Sequence, residues 1–146
     1  MSAQRESLRA PPLLLDTNII SALMREPYGR VGQKLHGQQD LGRRVCTSIV
    51  VQCELLFGLA RVNAPRLVQA HMLAMRRIEV LPLDADVAAH YAALRTYLER
   101  AGTPIGPNDA LIAAHALAVG AVMITDNDAE FTRVPELAVE NWLRPT

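Results

Sequence analysis

The sequence predicts a three-layer α/β/α fold, in which helices cover both faces of a central, mainly parallel sheet of four to five strands. Short apolar runs alternate with longer segments of helical periodicity, an order that favours parallel strands joined by helices. The chain has 146 residues, of which 50% are hydrophobic, enough for one core without disulfides or metals. We predict strands over Leu13–Leu15, Arg44–Thr47, Glu79–Leu83 and Ala121–Thr125, with a short fifth over Leu137–Glu140.

The chain begins with a polar segment that ends in two consecutive prolines. We expect residues 1–11 to be flexible and residues 12–146 to form one domain. After the first strand, Thr17–Glu26 places apolar residues at helical spacing, and Pro27 ends this helix. A more polar helix is predicted over Tyr28–Gln39.

The remaining helices follow from the same periodicity and from capping residues. They are predicted over Ile49–Val62, over Pro65–Arg77, from Asp84 to about Arg100, and from Asn108 to Val119. Asp84 and Asn108 are suitable N-caps, because their side-chain oxygens can accept from backbone N–H groups of the first turn. Gly102 favours a helix end.

The composition excludes several classes of protein. Lys+Arg 15 and Asp+Glu 15 give zero formal net charge, which removes the usual electrostatic argument for a nucleic-acid or membrane binder but allows a local basic face. Cys46 and Cys53 form no disulfide framework, and Cys53 is expected to be a small core residue. The longest apolar stretch, Ala110–Ile124, is interrupted by His115 and is shorter than the roughly 20 residues of a membrane span. We therefore expect a cytoplasmic protein without a membrane segment.

Acidic residues follow two predicted strands and begin a predicted helix. Asp16 ends the first strand, Asp126 follows the fourth, and Asp109 lies in the first turn of the last helix. Ligands of open α/β sheets bind beyond the carboxyl ends of the strands, so these acids can converge there. Glu54 lies in an apolar helix and either faces solvent or points into this site. Converging carboxylates without a histidine partner require a cation, and they suit Mg²⁺ or Mn²⁺ and metal-assisted phosphodiester hydrolysis.

Each of these acids also has a purely structural interpretation. Asp16, Asp126 and Asp128 can form turns or helix caps. Glu54 can be a solvated helix acid, and Asp109 can be a first-turn acid that a helix N-terminus favours. Only the combination of these acids in an α/β order indicates a metal site.

Four segments of the chain carry a family resemblance. They are Leu13–Asn18 (LLLDTN), Ser48–Gly58 (SIVVQCELLFG), Pro107–Ala114 (PNDALIAA) and Thr125–Phe131 (TDNDAEF). Together they resemble the PIN-domain family, and within it the VapC-type toxins of bacterial toxin–antitoxin pairs. The resemblance extends from Leu13 to Trp142, and the combination is specific, although L-L-D-T-N alone would not be.

The resemblance implies an endoribonuclease that depends on Mg²⁺ or Mn²⁺. By motif match, Asp16, Glu54 and Asp109 correspond to three shared carboxylates that hold one ion directly or through waters. Asn18 and Thr125 match polar residues that support the site. The resemblance also implies a homodimer, a VapB-like antitoxin that blocks the site, and an RNA substrate that is often tRNA.

The fourth acidic position of the family departs from its usual pattern. Many relatives carry Thr-x-Asp, whereas Asn127 is the third residue here; some toxins carry Thr-x-Asn followed by Glu-Phe, as this chain does. The fourth carboxylate is then Asp126, Asp128 or Glu130, and we predict Asp126. The departure affects the residues that would hold a second metal ion, not those that would hold the first.

Two other classes of protein are alternatives. Haloacid-dehalogenase-like phosphatases and response-regulator receivers also end their first strand in Asp, but both use a lysine late in the chain, whereas Lys34 is the only lysine. The phosphatase pattern also has a second Asp where Asn18 stands. A catalytically inactive PIN-like protein- or RNA-binding module is the alternative outside the enzymes, and retention of the three acids argues against it.

The chain has few aromatic residues, so RNA binding would depend on arginines. The candidates are Arg25, Arg30, Arg43, Arg44, Arg76, Arg77 and Arg95. The apolar stretches Ile49–Leu59 and Val68–Met75 hold more hydrophobic surface than one small core needs, which favours a dimer.

Overall fold

The computed structural model describes residues 10–145 of the chain. The segment predicted to be flexible, residues 1–11, falls mostly on residues 1–9, which lie outside the described residues. From residue 13 onward, strands and helices alternate in the predicted order.

A sheet of five parallel strands forms the centre of the described fold. The strands are β1 (Leu13–Leu15), β2 (Val45–Ser48), β3 (Glu79–Leu81), β4 (Val122–Ile124) and β5 (Val139–Glu140). They lie in the order β3-β2-β1-β4-β5, and Leu14 of β1 pairs with Cys46 on one side and Met123 on the other. The predicted parallel sheet is confirmed.

Helices connect these strands throughout the described part of the chain. They are α1 (Thr17–Arg25), α2 (Arg30–Asp40), α3 (Ile49–Ala60), α4 (Pro65–Met75), α5 (Ala85–Arg100), α6 (Pro107–Val119) and α7 (Asp128–Phe131). Within residues 10–145, every helix is too short or too polar to cross a membrane.

The order of the strands explains how the helices form two layers. The connections from β1 to β2 to β3 run across the sheet in one direction, and those from β3 to β4 to β5 run in the other. Since such crossovers are right-handed, α1–α4 lie mainly on one face and α5–α7 on the other, and α3 also contacts α6. Helix α1 packs against α4, and α5 packs against α6. The predicted three layers are confirmed.

Besides shifts of one or two residues at the ends of other elements, three local details differ from the prediction. Helix α6 begins at Pro107 with Gly106 as N-cap, not at Asn108. Proline fits the first helical position, where its missing N–H leaves no bond unmade. Strand β3 ends at Leu81 rather than Leu83, because pairing with β2 ends there. Helix α7 was not predicted, because a helix of four residues is too short to show a period.

Cys53 was predicted to be a core residue, and that prediction is wrong. Its side chain is exposed on α3. Val51 and Leu55 take the buried face of this helix and leave Cys53 on the other side.

Strand β1 lies where the chain changes direction across the sheet, with β2 on one side and β4 on the other. In open α/β folds this point opens a crevice at the carboxyl ends of the strands. Asp16 follows β1, and its N–H donates to the carbonyl of Ile124, the last residue of β4 (2.9 Å). The start of α6 lies at the same edge, because helices of such folds run antiparallel to the strands. The fold thus gathers the first turn of α6 and the residues that follow β1 and β4.

Candidate active site

Asp16 is held in one orientation by its neighbours. It is the N-cap of α1, and its Oδ1 accepts from the N–H of Thr17 (2.8 Å). Its Oδ2 accepts from Thr125 Oγ1 (2.7 Å) and, at the limit of hydrogen bonding, from Asn18 Nδ2 (3.5 Å). Burial raises the pKa of the Asp16 carboxyl, and these three hydrogen bonds oppose that rise. A buried carboxylate is thereby fixed at the end of β1.

Asp109 lies in the first turn of α6 and faces the other acids. Burial raises the pKa of Asp109 to about 7, and the charge of Asp16, a hydrogen bond with Glu130, and the charges of Glu130 and Glu54 add to this rise. Asn127 Nδ2 lies 3.4 Å from Asp109 Oδ2 and donates to Glu130 Oε2 (3.1 Å). The four acids therefore stand close enough to disfavour one another's ionisation.

Glu54 points toward this cleft rather than into solvent. It lies in the second turn of α3 and is half-buried. Burial raises the pKa of Glu54, the charge of Asp16 raises it further, and the Thr17 hydroxyl partly offsets the rise. The buried Oε1 of Glu54 and the buried hydroxyl of Thr17 lie near each other without a well-formed hydrogen bond. Buried oxygens without a partner indicate a missing cation or water.

The carboxylates lie near one another, but they do not surround a common point as the ligands of a bound ion do. Among the described residues, no three acidic, histidine or cysteine side chains are arranged as a complete metal site. An ion bound here would contact one or two carboxylates directly and reach the others through waters, as Mg²⁺ commonly does.

The structure separates the three candidates for the fourth carboxylate. Glu130 shares the Asn127 amide with Asp109. Asp126 is exposed, and its Oδ1 accepts from Asn141 Nδ2 (3.0 Å); Asp128 Oδ1 accepts from the same nitrogen (3.2 Å). The assignment of Asp126 stays a prediction, and the geometry favours Glu130.

The turn after β4 is tied to Asp16 through two polar side chains that the sequence singled out. Thr125 Oγ1 donates to Asp16 Oδ2 and accepts from the N–H of Asn127 (2.9 Å). Asn18 Oδ1 accepts from the N–H of Asp126 (3.0 Å). These bonds place the Asn127 amide beside Asp109.

Most arginines proposed as RNA contacts lie away from this cleft. Arg43 and Arg44 precede β2 at the amino edge of the sheet, and Arg44 Nε lies 2.8 Å from Glu79 Oε2. Arg25 and Arg76 stand at the ends of α1 and α4, which also finish at the amino edge. Their placement does not favour contact with a substrate at the acids.

Two arginines that the sequence pattern did not single out lie beside the cleft. Arg133 Nη1 donates to the carbonyl of Pro104 (3.2 Å), in the loop that leads into α6. Arg144 Nη1 lies 3.4 Å from Asp128 Oδ2. Asn141 was missed as well, although its place directly after β5, at the carboxyl edge of the sheet, could have identified it.

The chain is similar in sequence to known ribonucleases. A family model described as PIN domain matches residues 13–137. The tRNA(fMet)-specific endonuclease VapC of Salmonella typhimurium is 39% identical over 130 residues, which cover 88% of this chain and 96% of that protein. Ribonuclease VapC2 of Rickettsia felis is 34% identical over 134 residues, again with 88% of this chain and 96% of that protein covered.

A solved structure has the same fold. The chain superposes on the structure of VapBC2 from Rickettsia felis bound to a DNA fragment from their promoter with a TM-score of 0.84 and 31% identity. The match covers 89% of this chain and 98% of that one.

Proposed function

The chain belongs to the PIN domain family, and from this membership we propose that it is a metal-dependent endoribonuclease toxin that hydrolyses RNA phosphodiester bonds and is neutralised by a VapB-like antitoxin. One observation carries the catalytic part of the proposal. Asp16, Glu54, Asp109 and Glu130 come from four separate segments and meet at the point where the chain changes direction across the sheet.

The donor set fits a hard divalent cation, Mg²⁺ or Mn²⁺. It consists of carboxylate oxygens, and the unpartnered Glu54 Oε1 and Thr17 Oγ1 are oxygen donors as well. We infer that Asp16 and Asp109 contact the ion, and that Glu54 and Glu130 hold its waters. When bound, such an ion lowers the pKa of a coordinated water and stabilises the charge that develops on the scissile phosphate.

The residues of the chain divide the remaining tasks. Thr125 and the N–H of Thr17 hold the Asp16 carboxylate in one orientation. Because its pKa is raised to about 7, Asp109 is partly protonated at neutral pH while no cation is present, and it must release this proton to act as a ligand. Glu54 is half-buried, and its carboxylate can accept a hydrogen bond from a water held at the site.

The substrate class is RNA, and tRNA is the specific candidate. A relative covered along 96% of its length is named as a tRNA(fMet)-specific endonuclease, and this supports tRNA as the first substrate to test. A cytoplasmic location, where tRNA is found, stays a prediction.

The antitoxin partner has a suitable surface on the face formed by α1–α4. Leu23, Tyr28, Ala70 and Leu73 line a groove of about 440 Å³, with Arg66 at its rim. Tyr28 is 91% exposed and Leu73 is 56% exposed, so the groove presents apolar side chains to solvent. We propose that an apolar segment of the antitoxin occupies this groove.

The homodimer is proposed from a second exposed apolar surface. Three apolar side chains on this surface are each about half exposed or more. They are Leu56 and Phe57 on α3 and Met72 on α4. A second copy of the chain can cover them. Light scattering at micromolar concentration tests this directly, and a mass of one chain would contradict it.

Cleavage assays with the purified chain test the proposed enzyme. Total tRNA and a long single-stranded RNA are incubated with Mg²⁺ or Mn²⁺, with EDTA, and with the Asp16→Asn and Asp109→Asn variants. We expect cleavage that requires the cation and is lost in both variants. Asp40→Asn, an exposed change in α2, serves as the matched control and should cleave normally.

The other outcomes are also informative. Equal cleavage by all variants would point to a contaminating nuclease and would refute the assigned site. A folded protein that binds Mn²⁺ and the antitoxin but cleaves neither RNA would favour the inactive binding module.

A further inference from the structure

A buried histidine joins the helices that carry Glu54 and Asp109. His115 of α6 is 1% exposed, and its Nδ1 lies 2.7 Å from Ser48 Oγ. Ser48 is fully buried and is the N-cap of α3, where its Oγ accepts from the N–H of Val50 (3.1 Å). One side chain of α6 is therefore bonded to the residue that starts α3.

The two ring nitrogens of His115 have different partners. The carbonyl of Pro82 lies on another side of the ring and favours a proton there. Because a carbonyl only accepts, we assign the ring proton to the nitrogen that faces Pro82, and Nδ1 then accepts from the Ser48 hydroxyl. Burial lowers the pKa of His115, against the opposing effects of the Asp84 charge and the Pro82 bond. The neutral ring is bonded to Ser48 through Nδ1, so replacing it leaves the buried Ser48 hydroxyl without that partner.

The hydrogen bond between His115 and Ser48 lies near one acid on each of the two helices that it joins. Asp109 precedes His115 by fewer than about two helical turns, and Glu54 follows Ser48 at a similar separation. The residue before Ser48 makes a matching bond, since Thr47 Oγ1 donates to the carbonyl that precedes Asp16 (2.7 Å). The end of β2 is thus tied both to α6 and to the end of β1.

We propose that His115, acting through Ser48, is a positioning residue that sets the separation of the Glu54 and Asp109 carboxylates in the cation site. The inference rests on the proposed metal-dependent function for its effect on cation binding. It also predicts mechanical coupling of α3 to α6 in the cation-free protein. That second consequence can be tested independently of catalysis.

The test compares the wild type with His115→Leu, Ser48→Ala and the double variant. Ser48→Thr keeps the hydroxyl and serves as the rescue. Mn²⁺ affinity is measured by calorimetry without RNA, and kcat and KM are measured separately. We expect each single variant to weaken Mn²⁺ binding about tenfold or more, as losses of partners behind metal ligands commonly do. The double variant should be no worse than either single variant, and Ser48→Thr should resemble the wild type.

A matched control separates positioning from burial alone. His71 is also buried, and its Nε2 lies 3.1 Å from Gln52 Oε1, but it joins α4 to α3 rather than α3 to α6. We expect His71→Leu to lower stability with a smaller change in Mn²⁺ affinity than His115→Leu. KM for RNA should change less than kcat in the His115→Leu variant.

Amide hydrogen exchange without cation decides the inference on its own. We expect faster exchange in the first turns of both α3 and α6 in His115→Leu and in Ser48→Ala. Faster exchange confined to the surroundings of the substituted residue would overturn the proposal, as would unchanged Mn²⁺ affinity in a folded variant. A wild type that binds no Mn²⁺ would refute the proposed function, while the exchange result would still decide the coupling.

Discussion

The carboxyl groups of Asp16 and Asp109 avoid a buried, unstabilised negative charge in different ways. Asp16 accepts from Thr17, Thr125 and Asn18, so its negative charge is stabilised by three donors. Asp109 has a long contact from the Asn127 amide and a hydrogen bond with Glu130 that favours its protonated form, and the pKa of its carboxyl rises to about 7. In the cation-free protein Asp109 is therefore the acid that takes up a proton near neutrality, and a cation has to displace that proton.

This difference predicts proton release on cation binding. Mn²⁺ added near pH 6.5 should release a proton from Asp109, and Mn²⁺ affinity should rise between pH 6 and pH 8 as Asp109 loses its proton beforehand. Calorimetry in two buffers of different ionisation enthalpy measures the number of protons released. An affinity independent of pH across this range would contradict the prediction.

The same shift predicts how stability depends on pH without cation. The pKa of Asp109 is raised in the folded state above its unfolded value of about 3.9, so the folded state binds more protons between pH 4 and pH 7. Stability from this group is present at low pH and is lost as pH rises through about 7. Asp109→Asn should therefore stabilise the cation-free protein at pH 8. Because the group is half-buried and screened by water, we expect about 1 kcal/mol, or about 2–4 °C in Tm.

Thermal unfolding of both proteins at pH 5 and pH 8 checks this prediction. The difference between them should be larger at pH 8 than at pH 5. Glu26→Gln is the control, since this exposed residue follows α1 at the amino edge of the sheet, away from the acids. An Asp109→Asn protein that is less stable than the wild type at pH 8 would contradict the argument.

The fourth carboxylate can be assigned with a pair of matched variants. Glu130 faces Asp109 across the Asn127 amide, whereas Asp126 is exposed and bonded to Asn141. We expect Glu130→Gln to lower kcat about tenfold or more and to weaken Mn²⁺ binding. Asp126→Asn should change both much less. The reverse order of the two effects would restore Asp126 to the site.

At the scale of the elements, the sequence predicts regular structure well and short polar turns poorly. The strands and long helices were found because apolar periodicity reports burial directly. Asp16 and Asp109 were found because an acid after a buried strand or in a first helical turn stands out against apolar neighbours. The sequence left Glu130 as one of three candidates for the fourth carboxylate and gave Asn141 no role, since both depend on how α7 and the residue after β5 meet in space. A four-residue helix has no periodicity to predict that contact from.

The contact between the residue after β5 and the turn after β4 predicts a supporting role for Asn141. Its Nδ2 donates to both Asp126 and Asp128, and its Oδ1 accepts from the N–H of Leu143 (2.9 Å). Without the Asn141 amide, the carboxylates of Asp126 and Asp128 would lose a shared hydrogen-bond donor and would repel each other more strongly. We expect Asn141→Ala to cost about 1 kcal/mol in the free energy of unfolding and to lower kcat by misplacing α7.

Denaturant unfolding and cleavage assays together check this role. Asn63→Ala, in the exposed connection between α3 and α4, is the control and should affect neither quantity. A loss of stability with unchanged kcat would show that Asn141 supports the fold but not the site.

At the scale of the whole molecule, zero net charge conceals an uneven distribution. The acids gather at the carboxyl edge of the sheet, while Arg43 and Arg44 lie at the amino edge. RNA phosphates approaching the acids thus depend on the bound cation and on the nearby Arg133 and Arg144. We expect RNA binding to weaken only moderately with salt, because few cationic side chains face the substrate.

Binding curves for Arg144→Ala and Arg44→Ala test this distribution. If Arg144 contacts one phosphate, its loss should reduce the slope of log affinity against log salt by about one. Arg44, which is paired with Glu79 at the other edge, should leave the slope unchanged. Equal effects from both variants would show that the whole surface, rather than the rim of the cleft, attracts RNA.

The apolar groove makes a prediction about the partner that does not depend on catalysis. Leu73 lies in the groove on the α1–α4 face, and Tyr97 is similarly exposed (56% and 54%) but lies on α5, on the opposite face of the sheet. A charge introduced into an apolar contact must be desolvated without a partner, which is costly. We therefore expect Leu73→Glu to weaken antitoxin binding about tenfold or more and Tyr97→Glu to leave it nearly unchanged. Calorimetric titration with the antitoxin measures both, and light scattering on the same samples records whether either change alters the assembly. If only Tyr97→Glu weakened antitoxin binding, the antitoxin would bind on the other face of the sheet and the proposal would be wrong.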